Sequence, residues 1–446
     1  MRAIQTITES RCQQWTTHSS APELAGRLRA ARARTQSLAA DLGGAQLLGP
    51  RLAIVNPPLW EIAHVAWFQE YWCLRFHTDT HVSPSMVAAA DDLYKSARVA
   101  HDLRWDLPLL PFEAVLGYLD GVLERVLGRL DNEPDNRQLR YFSELAAAHE
   151  EMHCEAFTYT RQTLGYARPR NCVIKSTAGG AHPGDAAVEG GEFALGAAPG
   201  GNFVFDNEKW AHRVTLEPFA IARAAVTNIE FAAFADDGGY ARPELWCRAG
   251  WEWRESNRAD APLYWKKEGT QWWRRTYDQM QPLPPHAAVI HVNWYEADAW
   301  CRWAGRRLPT EAEWERAAAT APDQAQDPLI KRQYPWGELF PDGSHANLHD
   351  AYGTVVPVSA LAAGDSAWGC RQMMGNVWEW TADWFGPYPG FVRDPYKEYS
   401  EPWFGNHKVL RGGCFATSAA LLRNTWRNFY TPDRRDVFAG FRTCVT

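Results

Sequence analysis

Between Ala21 and about Tyr166 the apolar residues recur every three to four positions, as in Ala114, Leu116, Leu119, Leu123, Val126, Leu127 and Leu130. That spacing keeps side chains on one side of an α-helix. The pattern predicts long helices near 21–42, 58–77, 111–131 and 136–165, the second opened by Pro57-Pro58, because proline suits a first helical turn. Four such helices form a bundle whose facing side chains can build a site in its core. From Ala167 to Glu192 the chain turns to Gly, Pro and small residues (RPRNCVIKSTAGGAHPGDAAVEGGE), which predicts a linker over 171–190 between a bundle domain, 1–170, and a second domain, 191–446. After Gly191 the segments are short, turn residues are frequent and aromatic clusters such as WCRAGWEW and TQWWRRTY break any long period, so little regular structure is expected. Two helices stand out there: Trp294–Ala304, and one after Pro309-Thr310, where T-E-A-E supplies a Thr cap with a Glu three residues on.

Composition changes this picture in three ways. A length of 446 residues suits at least two domains, and 46% hydrophobic with 22% charged residues is ordinary globular usage. The balance of 46 basic against 53 acidic residues, net −7, argues against a nucleic-acid partner, and no apolar run reaches the ~18 residues of a membrane span, so a cytoplasmic chain is expected. The nine cysteines form no C-x-x-C pair, which predicts reduced thiols and no zinc ribbon, while 23 tryptophans, most of them between Trp210 and Trp426, mark the second half as a different kind of structure.

The first chemistry-bearing string is HEEMHCE, which puts His149 and His153 four residues apart and on the same helical face. Glu150 completes H-E-x-x-H literally, but a zinc protease needs a third ligand downstream and a cleft to match, and a bundle helix supplies neither. An isolated pair of this spacing is also what two surface histidines look like. His64 supplies a third imidazole, in NPPLWEIAHVAWFQEYW, with Trp60 one turn before it and Trp67, Phe68, Tyr71 and Trp72 after, a setting that turns it inward. Together the three can converge on one metal with up to three open positions, and neutral imidazoles suit iron, copper, zinc and nickel alike. His77, His81 and His101 are rival ligands, ranked lower because the first two cross a helix end and the third sits beside a loop-forming string.

Toward the C-terminus come MMGNVWEWTADWF (373–385), DPYKEYSEPWFG (394–405), VLRGGCFATS (409–418) and RNFYTPDRRDVFAGFR (427–442). Gly412, Gly413 and Gly440 are expected at tight backbone positions, and Arg423, Arg427, Arg434 and Arg435 as donors able to hold a carboxylate through paired hydrogen bonds.

These segments, with HVNWYEADAWCRWAGRRLPTEAEWERAA, YPWG and the terminal GFR, stand in the order found in formylglycine-generating-enzyme-like domains, which the chain resembles over roughly 190–446. The resemblance implies a compact, loop-rich domain related to C-type lectins, hence an α+β chain overall. Sulfatase-activating members use a pair of cysteines near the C-terminal end; RNFYTPDRR offers none, and Cys414 and Cys444 do not fit that spacing, so that activity is not expected. The N-terminal half resembles a DinB-like four-helix bundle, and the combination is that of the ergothioneine-type sulfoxide synthases. The likeness covers nearly the whole chain. It implies three histidines on a mononuclear non-heme iron(II), here His64 with His149 and His153 of H-x-x-x-H-x-E (closing at Glu155), dioxygen as co-substrate, and hercynine as substrate. It implies an oxygen-chemistry tyrosine in Y-x-x-Y-S, matched by Tyr396 and Tyr399, and a substrate-binding string matched in part by Arg427, Asn428, Phe429, Tyr430 and Arg434. The active site would then draw on both domains. Calcium is a structural ion in some lectin-like relatives.

Two departures bear on the sulfur or selenium donor. Met152 stands where some relatives have Gln, and Tyr430 where they have the Asp that helps to hold gamma-glutamylcysteine. The segment around His64 also differs from the common K-W-H-L-A-H version and, with DDLYKSARVAHDLRWDLPL, is similar to the selenoneine synthase branch, whose donor is a selenosugar. The sequence reading is therefore an enzyme forming a carbon–selenium bond on hercynine, with Tyr94, Tyr430 and Arg434 as hydrogen-bonding groups for a selenosugar. Its alternatives are the same chemistry with cysteine or gamma-glutamylcysteine, and a small-molecule binding module without turnover.

Overall fold

The computed structural model describes residues 17–170, 172–322, 330–349 and 351–446. The chain divides into two compact units, Met1–Asn171 with Gly200–Val204, and Cys172–Pro199 with Phe205–Thr446.

The first unit is helical. Helix α1 (Ala21–Ala39) is opened by Ser20, whose side chain accepts from the Glu23 N–H while Glu23 accepts in return from the Ser20 N–H. Helix α2 (Pro58–Glu70) is buried on nearly every side. It does not run on to 77: a π-helical turn, Tyr71–Arg75, follows, then a small hairpin of β1 (Phe76–Thr78) and β2 (His81–Val82). Buried Arg75 holds this reversal, its guanidinium donating to the Ser83 carbonyl (2.8 Å) and to both oxygens of Asp91 (2.9 and 2.8 Å). Asp91 lies on the single-turn helix α3 (Ala90–Tyr94). Helix α4 (Phe112–Asn132) buries Val115, Tyr118, Leu119, Val122, Val126 and Leu130. Ala114, from the predicted stripe, is exposed instead, because the apolar positions of this helix cover more than one face and only one meets the core. Helix α5 (Arg137–Leu164) starts on an Asn136 cap and ends at Gly165 in the left-handed region (φ 65°). Helix α1 packs on α4 and α5, and α2 packs on the same two helices. Phe203, from the later segment, meets the Tyr141 ring at a tilt, 5.5 Å away. No helix among the described residues is long and apolar enough to cross a membrane.

The second unit is built from short strands. A four-stranded sheet has the order β10-β15-β6-β3, from β3 (Asp185–Val188), β6 (Phe219–Ala222), β10 (Arg306–Arg307) and β15 (Cys444–Val445). Residues 185–188 of the segment read as linker are thus a paired strand, and Ala186 and Val188 sit in the core beside Trp314. A second four-stranded sheet, β13-β12-β11-β14, uses β11 (Trp378–Trp384), β12 (Lys408–Arg411), β13 (Asn428–Tyr430) and β14 (Ala439–Gly440). Strands β4 (Gly191–Leu195) and β5 (His212–Leu216) form a pair, and β7 (Trp265–Glu268), β8 (Gln271–Thr276) and β9 (Gln279–Pro282) form an antiparallel meander. Among the described residues four α-helices complete the unit: α6 (Asn228–Asp236), α7 (Arg248–Asn257), α8 (Trp294–Trp303) and α9 (Glu311–Ala319), with capping boxes at Asn293/Glu296 and Thr310/Glu313.

The tryptophan excess has a physical reason in this loop-rich core. An indole combines a large apolar body with one N–H that ties irregular backbone or a buried carboxylate: Trp294 donates to Thr381 O (2.8 Å), Trp380 to Val292 O (3.0 Å) and Trp314 to Glu379 (2.7 Å). Close backbone approach explains two glycines. A Cβ on Gly412 (φ 97°) would lie 2.4 Å from the Met373 carbonyl, and one on Gly440 would lie 2.2 Å from that of Val289.

Candidate metal centre

His64 of α2 and His149 and His153 of α5 present ligand atoms that all lie within 4.8 Å of one another, and no other group of three His, Cys or carboxylate side chains does so among the described residues. Their ring centroids are 5.1, 5.1 and 4.5 Å apart. His64 and His149 are buried; His153 is the most exposed of the three.

Outer hydrogen bonds set the tautomers of His64 and His153. The Nδ1–H of His64 donates to the Tyr94 carbonyl (2.7 Å), an acceptor that a one-turn helix leaves unused at its C-terminal end. The neighbouring Leu93 carbonyl accepts from the Trp60 indole (2.7 Å), so α3 serves as an acceptor platform for α2. The Nδ1–H of His153 donates to Oε1 of Glu61 (2.7 Å). Both rings therefore turn an Nε2 lone pair inward, as a metal ligand requires. Ring planes are fixed by stacking: Trp60 on His64 at 5.0 Å and 7°, and Phe68 on His149 at 3.6 Å and 4°. Burial, and next the adjacent His153, hold His64 and His149 well below the usual imidazole range, which keeps them neutral donors at pH 7. A set of neutral imidazoles backed by a carbonyl and a carboxylate fits a first-row metal such as iron, zinc, copper or nickel.

Glu61 is a residue of this cluster that sequence reasoning missed. It is 1% exposed and also accepts from the Asn56 amide (3.3 Å), whose oxygen accepts from Arg104 (2.5 Å). Arg104 in turn lies over the Trp60 ring at 3.9 Å. The available signal was an acid three residues before a histidine in an otherwise apolar helix.

The glutamates between the two α5 histidines face the other way. Glu150 takes Arg32 Nε (2.8 Å), Arg32 Nη2 (3.2 Å) and the Thr35 hydroxyl (2.9 Å), and Glu151 takes Arg34 (2.7 Å). Glu150 is thus an α1–α5 tie rather than a general base, which removes the H-E-x-x-H protease reading. Glu155 is buried and Met152 half-buried on the same helix. Of the rival ligands, His101 bonds to the Val55 carbonyl (2.7 Å), while His77 pairs with Ser83 (2.9 Å) and meets the His81 ring at a tilt, 4.9 Å away, both exposed. Tyr94 is 0% exposed and its hydroxyl accepts from the Leu110 N–H (3.2 Å), so its carbonyl, not its hydroxyl, serves the histidine cluster.

The second unit gathers its predicted site residues around β13. Phe429 stacks on Phe385 (4.1 Å, 12°) and meets Tyr399 edge-on at 5.8 Å; Tyr399 lies 5.9 Å from Tyr396 and stacks on Phe205 at 4.2 Å. Burial pushes both phenols above their usual range, so they stay O–H at neutral pH. Asn428 Oδ1 accepts from the Phe429 N–H (2.8 Å), and Arg434 lies over the Tyr430 ring at 5.5 Å. The arginines expected to hold a substrate carboxylate are engaged internally. Arg427 is bound by Glu311 (2.7 and 3.0 Å), Arg423 by Glu208 (2.7 Å), Arg434 by Asp436 (3.0 Å), and Arg435 reaches Glu296 at 3.3 Å. Cys414 and Cys444 are both 0% exposed, and burial pushes the Cys444 thiol up to about 12, so Cys444 offers no reactive thiolate.

Residues 27–156 match the DinB superfamily and residues 172–446 match the sulfatase-modifying factor enzyme 1-like domain. Fold and site thus define a DinB-type bundle with a three-histidine centre, followed in the same chain by a sulfatase-modifying-factor-type domain. The chain belongs to the hercynine oxygenase family: it is 37% identical over 433 residues to the hercynine oxygenase of Mycolicibacterium thermoresistibile, covering 94% of each chain, and 36% identical over 428 residues to that of Mycobacterium tuberculosis, covering 95% of this chain and 99% of the relative. A formylglycine-generating enzyme of Streptomyces coelicolor is 34% identical over 305 residues, which is 60% of this chain and 94% of that enzyme.

Proposed function

We propose that this chain is an iron(II)- and oxygen-dependent enzyme that modifies the imidazole of hercynine, with a carbon–selenium bond to a selenosugar as its product. The observation that carries the metal part is the inward-facing trio His64, His149 and His153, with two Nδ1 positions occupied by Tyr94 O and Glu61. The substrate part rests on the family, whose named members are hercynine oxygenases. In the net reaction an imidazole C–H and a donor Se–H bond are exchanged for a C–Se bond, and dioxygen takes up the two protons and two electrons released. Bound by the three histidines, iron(II) would supply the one-electron chemistry that dioxygen needs. The protein's own residues hold and orient: Glu61 and Tyr94 fix the ligand rings, and the surrounding Trp60, Trp67 and Phe68 exclude water. Tyr396, kept protonated by burial, is the proposed proton or hydrogen donor. Asn428 and Phe429 are the proposed hercynine contacts, the ring attracting the trimethylammonium; Tyr399 packs beside them.

The selenosugar assignment is supported by charge. Arg434 is already matched by Asp436, and Tyr430 beside it is neutral, so this corner of the second unit suits hydroxyl groups better than the charged ends of gamma-glutamylcysteine. Iron content, and oxygen uptake with hercynine plus selenosugar, cysteine or gamma-glutamylcysteine at equal concentration, test the reading. Gamma-glutamylcysteine giving the highest kcat/KM would replace it with the sulfoxide synthase of ergothioneine formation, and binding without turnover for every donor would replace both with a binding module.

A further inference from the structure

Arg274 differs from the other deeply buried arginines of its unit. Arg411, Arg427 and Arg442 each face a glutamate, and Arg316 donates to the backbone carbonyls of Glu189, Gly190 and Glu192. Arg274 is 2% exposed, and among the described residues its Nε and Nη1 reach no acceptor. It lies on β8 directly opposite Trp265 of β7, and residues opposite each other in an antiparallel pair share a face. The Trp265 indole N–H likewise meets no acceptor, in contrast to those of Trp294, Trp314 and Trp380. His291, 1% exposed and close enough to feel the Arg274 charge, lies beside them and offers no negative charge. Burial alone brings the Arg274 guanidinium down to about 10, which still leaves it charged at neutral pH with nothing to offset the charge. A buried cation without a counter-charge costs several kcal/mol. Water would satisfy the N–H groups but not the charge.

We propose that Arg274 and Trp265 form a buried site for a small monovalent inorganic anion beside His291. The anion would accept from the guanidinium Nε–H and Nη1–H and from the indole N–H, a charge-assisted set of donors. Exposures of 2%, 9% and 1% for Arg274, Trp265 and His291 place the site away from solvent, which suits a small ion. This site is independent of the three histidines and of the proposed reaction.

The test uses the full chain and chloride or nitrate as the probe. Thermal melting is followed while sodium gluconate, whose anion is too large, is replaced stepwise by the chloride or nitrate salt at constant ionic strength. The unsubstituted protein should gain about 2.7 kcal/mol when the anion stands 100-fold above its Kd, a shift of several degrees in Tm. Arg274→Met should be insensitive to the replacement and at least as stable in gluconate, and Trp265→Phe should show a weakened dependence. If binding is too tight to titrate, one equivalent of anion should appear by ion chromatography when desalted protein is unfolded. A flat melting response with no released anion, or an equal response in Arg274→Met, overturns the proposal. Should Arg274→Met fail to fold, the titration of the unsubstituted protein and of Trp265→Phe decides it.

Discussion

Replacing Glu61 removes the anionic partner of one proposed iron ligand without touching the ligand itself. Both carboxylate oxygens are used, Oε1 by His153 at 2.7 Å and Oε2 by Asn56 at 3.3 Å, and the residue is 1% exposed, so no solvent can take its place. Carboxylates that orient metal-bound histidines are worth roughly 10- to 100-fold in affinity, or about 1.4 to 2.8 kcal/mol at 1.4 kcal/mol per tenfold. Glu61→Gln keeps an acceptor for His153 but loses the charge and turns an amide toward the Asn56 amide, so the expected loss is near ~10-fold. Glu61→Ala frees the ring as well and leaves the Asn56 amide unmet, so the loss should approach ~100-fold. Anaerobic titration with iron(II), and with cobalt(II) followed by its visible absorption, reads affinity and ligand geometry directly, and far-UV circular dichroism checks the bundle. Binding within twofold of the unsubstituted protein in both variants would refute the role assigned to Glu61.

The remaining predictions concern the fold and the rest of the site. Substituting His64, His149 or His153 by Ala should abolish stoichiometric metal in elemental analysis while the helical circular dichroism persists; loss of the fold in all three would make them structural. Glu150→Ala should leave metal binding intact and destabilise the first unit by about 3–5 kcal/mol in urea unfolding, because it strands a buried Arg32; a change under ~1 kcal/mol contradicts the tie between α1 and α5. Asp206 is pushed up to about 6 by burial and by Asp394, so in the folded state it holds a proton that the unfolded chain releases above its ordinary 3.8. Stability should therefore fall as pH rises from about 4 to 6, by on the order of 2 kcal/mol, relative to Asp206→Asn; parallel pH profiles of the two proteins would negate this. An Asn428→Ala, Phe429→Ala double variant should lose hercynine affinity in calorimetry, and unchanged affinity would move the substrate elsewhere.

What the sequence could reveal depended on how local each signal was. The cap at Thr310 lies three residues from its partner and was readable, as was the His149/His153 spacing and the aromatic setting that turns His64 inward; the equally local cap at Asn293 went unread. The end of α2 was not, since it depends on Arg75 meeting Ser83 and Asp91 in three dimensions. Glu61 and His153 are separated by 92 positions, and Arg427 and Glu311 by 116, so neither pairing leaves a mark on local pattern. For the same reason nothing local marks Arg32 and Arg34, which both close ion pairs with α5. Arg434 and Asp436, two residues apart, were within reach of a sequence argument that treated arginines as donors and did not look for their partners.

Phe68 lying flat on His149, and Trp60 on His64, have a consequence for how the proposed metal would enter and leave. Rings clamped between indole, phenyl and hydrogen-bond acceptors have surrendered their rotational freedom during folding, so little ordering is left for the ion to impose. Such a centre is preorganised, unlike a zinc finger, whose chain collapses only around its ion. Chelation should then strip the metal from an intact bundle and reloading should be rapid, without passage through an unfolded state. The same rigidity would make the proposed ligand rings intolerant of an ion that prefers a different spacing, so selectivity should be exerted by aromatic packing as much as by the nitrogen atoms themselves.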